Sequence, residues 1–183
     1  MKTLLLVCIY LLFTTPDVFA QSTETRIKEI NQLTAHISNN LADYDTVTAD
    51  IWGESTEGGH AIAYYDGKQM VHIKTTHYGE TGKTDTEYFF DKGQLVLAVR
   101  KEEHYNRPMY YDKKRAEEDG DTEFFDPSKS ITETTTYFFT SEKLILLLDK
   151  NNKEVASATA GNSIAGADHI EQAHKLKKLL AKK

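Results

Sequence analysis

Apolar and polar positions divide the chain into stretches of different period. From Ile27 a stripe runs through Ile30, Thr34, Ile37, Leu41 and Tyr44, in steps of three and four that share one side of a helix. This predicts an amphipathic helix over 22–44, with Ser22 or Thr23 as its cap and Glu24 where the helix dipole favours an anion. Barely three heptads without ordered flanking charges suit packing on the protein's own sheet better than a coiled coil.

After Thr46 the chain turns aromatic, β-branched and alternating. Turn signals at Asp66-Gly67, Glu80-Thr81-Gly82, Asp91-Lys92-Gly93 and Thr140-Ser141-Glu142 separate the runs. The phrases "YYDGKQM", "FFDKGQL" and "FFTSEKL" repeat one unit: aromatics, a tight turn, and a returning strand led by Met70, Leu95 or Leu144. Chained hairpins predict an antiparallel meander with strands near 47–52, 60–66, 69–78, 84–91, 94–104, 132–140 and 143–149. Strict alternation puts Val71 and Ile73 on one face, with His72 and Lys74 on the other. It likewise sets Leu95, Leu97 and Val99 against Val96, Ala98 and Arg100. "LILLL" from Leu144 is apolar on both faces, so that strand is expected to be central or helix-covered.

Residues 105–130 combine charges, Pro and aromatics, predicting a long ordered loop with one helical turn. A last helix is expected over 166–182, with Asp168 and Glu171 as its capping pair and Ile170, Ala173, Leu176 and Leu180 on one side. The expected class is therefore α+β: an antiparallel β-meander of about seven strands over 46–160, an N-terminal amphipathic helix packed on it, and a C-terminal helix. Residues 21–183 are expected to form a single domain.

The first twenty residues change which part of the chain works. Lys2, the apolar run Leu4–Phe13 and Val18-Phe19-Ala20 predict a signal peptide cleaved before Gln21. Thr14 to Asp17 break the run well short of the roughly 20 apolar residues of a membrane span. The expectation is an exported chain, periplasmic or secreted. The only cysteine, Cys8, lies in the leader after Val7, a poor setting for lipidation, so the mature chain carries no disulfide and no thiolate. Cleavage removes Lys2 and Asp17, one charge of each sign, and leaves the net charge at -6. An acidic protein is a poor partner for nucleic acid or an anionic membrane surface.

Motifs for chemistry are weak. "HYGETGKT" ends in Gly-Lys-Thr, but the first glycine of a phosphate loop falls on His77 and the context is strand-turn-strand. "DGDTE" from Asp119 alternates carboxylates without the glycine or bidentate Glu of a calcium loop. His60, His72, His77 and His104 form no metal-ligand pair, and His169 and His174 are five apart on their helix, so surface or strand-filling roles are expected and no metal or cofactor is assigned. Ser55 has neither elbow nor base. The carboxylates of "KEEH" and "AEED" are solubilising charge unless a cleft gathers them.

"HYNRPMYY" places Tyr105, Arg107, Met109, Tyr110 and Tyr111 around a stiffening proline. These residue types are enriched where proteins bind partners, and Trp52 in "WGESTEGG" is a second candidate. "GGHAIAYYDGKQMVHI", "YGETGKTDTEYFFDKGQL" and "HYNRPMYY" resemble stretches of small exported proteins of Gram-negative bacteria. That resemblance covers most of the mature chain and implies export without a particular activity. The tandem units are also similar to hairpin repeats of the membrane-occupation type, but their irregular spacing departs from that strict period. The expected function is a non-catalytic envelope module that binds a protein, peptide or glycan through these six residues. The alternative is a small-ligand carrier or an enzyme with a site assembled from distant strands, marked by a cavity lined by Tyr64, Tyr88 and Phe90.

Overall fold

A computed structural model describes residues 16–156 and 160–182; most of the expected leader, 1–15, lies outside the described residues. Eight strands pair in chain order as one antiparallel meander. They are β1 (Asp45–Ile51), β2 (Gly59–Asp66), β3 (Gln69–Gly79), β4 (Gly82–Asp91), β5 (Gln94–His104), β6 (Ile131–Thr140), β7 (Lys143–Leu148) and the short β8 (Glu154–Val155). Helix α1 (Pro16–Asn39) packs on one face and α3 (Ala160–Leu179) on the other, while α2 (Lys113–Asp119) interrupts the β5–β6 connection. The protein is thus α+β, with a meander held between two helices.

The repeated phrase builds the core. Tyr64 pairs with His72 but Tyr65 with Met70; Phe89 pairs with Leu97 but Phe90 with Leu95; Phe138 pairs with Leu146 but Phe139 with Leu144. Each unit therefore leaves one residue over, Val71, Val96 or Ile145, as a β-bulge at the same place. Two of the turns match the twist of their strands with left-handed residues, Lys92 and Gly93 in one, Ser141 and Glu142 in the other.

The bulges correct the expected faces. An extra residue shifts the phase of everything beyond it, so Val71 packs under α1 while Ile73 packs under α3. Leu95 and Ala98 face α3, whereas Val96 and Leu97 share the α1 side with Val99. The aromatic pairs split in the same way: Tyr64, Phe89 and Phe138 go to the α1 side, Tyr65, Phe90 and Phe139 to the α3 side. One nine-residue phrase thereby feeds both cores.

Helix α1 buries Ile30 and Ile37 completely against Val71, Phe89, Val96, Leu97 and Phe138. It starts at Pro16, so Ser22 and Thr23 lie within it instead of capping it. It stops at Asn39, where the Asn40 side-chain amide donates to the His36 carbonyl at 2.7 Å and Leu41–Asp43 tighten into a 3-10 turn. Helix α3 also starts early, at Ala160, which puts Asp168 mid-helix and not at the cap. It crosses the strands from β7, where Gly166 meets Leu144, to β2, where the Tyr65 hydroxyl donates to the Leu180 carbonyl at 2.8 Å. Both helices cover the half of the sheet nearest the repeated turns, and the outer halves of β3, β4 and β5 run on past them.

The β5–β6 connection is ordered, as expected. Asp112 caps α2 by accepting from the Arg115 backbone N–H at 2.9 Å, and Gly120 ends the helix at φ +72°. Asn106 bridges the loop, donating to the Phe124 carbonyl and accepting from the Asp126 N–H.

Candidate functional site

An open cleft of about 550 Å³ lies between α3 and the outer half of the sheet. Alternation along regular strands puts Thr84, Thr86 and Tyr88 of β4 on its floor beside Arg100 and Glu102 of β5, with His77 and Tyr137 from the flanking strands. Asp168, His169 and Gln172 of α3 form one wall, and Glu54, Ser55 and Thr56 form the other.

Local sequence explains the second wall. Gly58 adopts φ +72°, and a Cβ there would meet the Trp52 ring at 3.2 Å, so only glycine lets the loop fold back under the indole. Its carbonyl accepts from the Ser55 hydroxyl and the Tyr78 N–H, pinning the loop to β3. Gln172 donates to the Glu54 carboxylate and ties this loop to α3. At the cleft's outer rim, a side chain on Gly82 would collide with the Glu103 carbonyl oxygen, which keeps β4 and β5 in close approach.

Two buried tyrosine rings on the floor meet a half-buried histidine from the α3 wall. His169 packs against Tyr137 at 4.3 Å and Tyr88 at 5.9 Å between centroids. Burial first, then Arg100, pushes the imidazole down to about 4 against the opposing pull of Asp168, so it is neutral at pH 7. Burial raises the Tyr88 phenol, Glu54 adds to this and Arg100 opposes it. Tyr137 is raised by burial too, with Arg100 opposing and Glu102 adding. His77, lowered chiefly by burial, keeps a buried Nδ1 without a partner among the described residues.

The polar tips of those three rings are unused by the protein. Among the described residues, neither tyrosine hydroxyl nor either nitrogen of His169 has a hydrogen-bond partner, and none is sealed from solvent. The cationic side chains are engaged: Arg100 with Glu102 at 2.8 Å, and Lys83 with Glu103 at 3.4 Å.

None of the six expected partner-binding residues lines this cleft. Trp52 is 78% exposed on the loop that forms the wall. Tyr105 stacks edgewise on Phe125, and Arg107 pairs with Asp121 at 2.8 Å while lying over the Tyr111 ring. Met109 and Tyr110 remain outward, although backbone bonds from Tyr105 and Met109 to Thr81 and Glu80 anchor the segment to the β3–β4 turn. No hydrogen bond, ion pair or ring contact among the described residues joins Trp52 to that segment. Of the three residues expected to mark a carrier cavity, Tyr88 does so, but Phe90 fills the core and Tyr64 lies on the opposite face against His72.

A cleft does gather Glu102, Glu103 and His104 of "KEEH". The expectation of surface or strand-filling histidines is corrected at one position. His169 turns inward, whereas His174 faces out to Glu142. The signal in the sequence was polar alternation on one face, Thr84-Thr86 and Arg100-Glu102-His104, continuing past the apolar part of each strand.

Fold and site together define an α+β protein with a helix on each face of a meander and an open polar cleft at one end. No protein-family model, curated protein or solved structure matches the chain. Among the described residues, no helix is long and apolar enough to cross a membrane, and no group of three or more His, Cys, Asp or Glu is placed to hold a metal ion.

Proposed function

We propose that the protein is an exported binding module whose primary site is the cleft beside α3. The observation that carries this reading is the set of free polar tips on Tyr88, Tyr137 and His169. These tips reach solvent, so water satisfies them in the free protein. A cleft within the size range of small-ligand sites that presents several donors and acceptors not claimed by the protein has the means to orient a small ligand. Export follows from the leader-like first twenty residues.

The test is to recover the tagged protein from the cell envelope and examine it by native mass spectrometry. The double variant Tyr88→Phe/Tyr137→Phe removes only hydroxyls that no protein group uses, so the fold should persist. A small molecule that travels with the wild type and is lost from this variant supports the reading. A second reading, capture of an envelope protein, peptide or glycan at the aromatic segment, is favoured by Met109 and Tyr110, 51% and 55% exposed. It takes precedence if no small molecule travels with the chain and a protein does, and Tyr110→Ala/Tyr111→Ala releases that protein.

A further inference from the structure

Resting on the cleft being a binding site, we infer that its ligand is a small organic cation whose charged group donates hydrogen bonds, a primary amine or a guanidine. Charge balance comes first. Four carboxylates line the cleft, Glu54, Glu102, Glu103 and Asp168, against one arginine and one lysine. Arg100 is held by Glu102 at 2.8 Å and Lys83 by Glu103 at 3.4 Å, which leaves two carboxylates over. Glu54 accepts from the neutral amide of Gln172 and lies 3.8 Å from His77, which burial pushes towards the neutral form. Lys175 feels Glu54 but is taken by Glu171 at 2.9 Å. Asp168 has no hydrogen bond or ion pair among the described residues. The two unmatched carboxylates share one side of the cleft, because Gln172, which reaches Glu54, stands one helical turn from Asp168 on α3. Removing an ion from water is costly unless it gains a partner. A cation gains one here and an anion does not.

Hydrogen-bond capacity narrows the kind of cation. Tyr88 and Tyr137 are only 3% and 7% exposed, yet their hydroxyls reach the cleft without a partner among the described residues. Burial raises both phenols, so they stay neutral at pH 7 and each oxygen can accept. Neutral His169 offers a third acceptor. Glu54 acts on Tyr88 and Asp168 on His169, so each unmatched carboxylate stands near one of these acceptors. Carboxylates beside neutral acceptors suit N–H donors on a cation. A quaternary ammonium has no N–H and is recognised by aromatic faces, and the rings of both tyrosines are packed into the core under α3. A metal ion fits less well, since no group of three or more His, Cys, Asp or Glu among the described residues is placed to hold one.

The experiment is isothermal titration of the purified protein with putrescine and agmatine, against butanediol, succinate and choline as neutral, anionic and quaternary probes. Putrescine or agmatine should bind at least about tenfold more tightly than the other three. The variant Glu54→Gln/Asp168→Asn keeps an acceptor for Gln172, and it should weaken amine binding at least about tenfold with the melting temperature retained. Tighter binding of butanediol, succinate or choline overturns the ligand class, as does amine binding that the variant leaves unchanged. No binding by any probe also overturns the class. The site reading is decided separately: it stands where a small molecule recovered with the protein from the envelope is lost in Tyr88→Phe/Tyr137→Phe, and it falls if nothing small travels with the chain.

Discussion

His169 supplies a quantitative test of the cleft floor. The native state holds its imidazole neutral down to about pH 4, because burial against Tyr88 and Tyr137 and the nearby Arg100 disfavour the charged form. The unfolded chain takes up the proton near the ordinary value of 6.5. Between those values the unfolded state binds more protons, so stability falls as pH drops from 6.5 towards 4 and this contribution then levels off. At about 1.4 kcal/mol per pKa unit, the loss attributable to this residue reaches about 3 kcal/mol near pH 4 and about 1 kcal/mol near pH 5.5. Urea unfolding followed by circular dichroism, on wild type and His169→Gln at about pH 7, 5.5 and 4, isolates the effect. Other titrating groups are common to both proteins and cancel in the difference. Wild type should lose about 3 kcal/mol more than the variant over that range. Equal losses would refute the packing of His169 against the Tyr88 and Tyr137 rings.

Three further outcomes test the frame around the cleft. His72 is fully buried between the Tyr64 and Phe89 rings, its Nδ1 unpartnered, where the other two repeats place Leu97 and Leu146. His72→Leu should stabilise the protein by about 1 kcal/mol, the order of one unsatisfied buried group, and a lowered urea midpoint would show that its bond to Glu87 outweighs that cost. Ile37→Ala removes a side chain wholly buried under α1 and should cost about 2 to 5 kcal/mol by chemical denaturation; a cost below about 1 would mean α1 is not docked as described. Gly82→Ala should force β4 from β5 at the rim. Hydrogen exchange should then quicken for the amides of Lys83 and Glu103 while those of Phe89 and Leu97 stay protected, and unchanged rim exchange would contradict the close approach.

Much of the fold was legible because the chain states it three times. The units beginning at Tyr64, Phe89 and Phe138 carry their own turn signals, so strand limits could be read within a residue or two. The faces could not. Val71, Val96 and Ile145 look like ordinary members of an alternating strand, and only the pairing partners show that each is an extra residue. Helix starts were also misjudged, because Ser22, Thr23 and Asp168 have the chemistry of caps wherever they fall.

The cleft was illegible for a different reason. Its floor comes from β3, β4, β5 and β6, but it exists only because α3 crosses the sheet near the repeated turns and leaves the outer halves bare. Nothing in local periodicity fixes that crossing. It is set by Gly166 against Leu144 at one end and Tyr65 holding Leu180 at the other, contacts between residues far apart in the chain. The same geometry accounts for the division of labour along each strand. On the strands of the repeated unit, the residues that pack under the two helices are apolar, and His72 is the exception. Beyond the unit the strands remain hydrogen-bonded in register, from Thr86–Arg100 to Gly82–His104. Their side chains are free of core packing and carry hydroxyl, imidazole, guanidinium and carboxylate groups. A sheet whose stability is secured at one end can vary the chemistry at the other without unfolding, and it is there that Tyr88, Tyr137 and His169 hold their unused polar atoms.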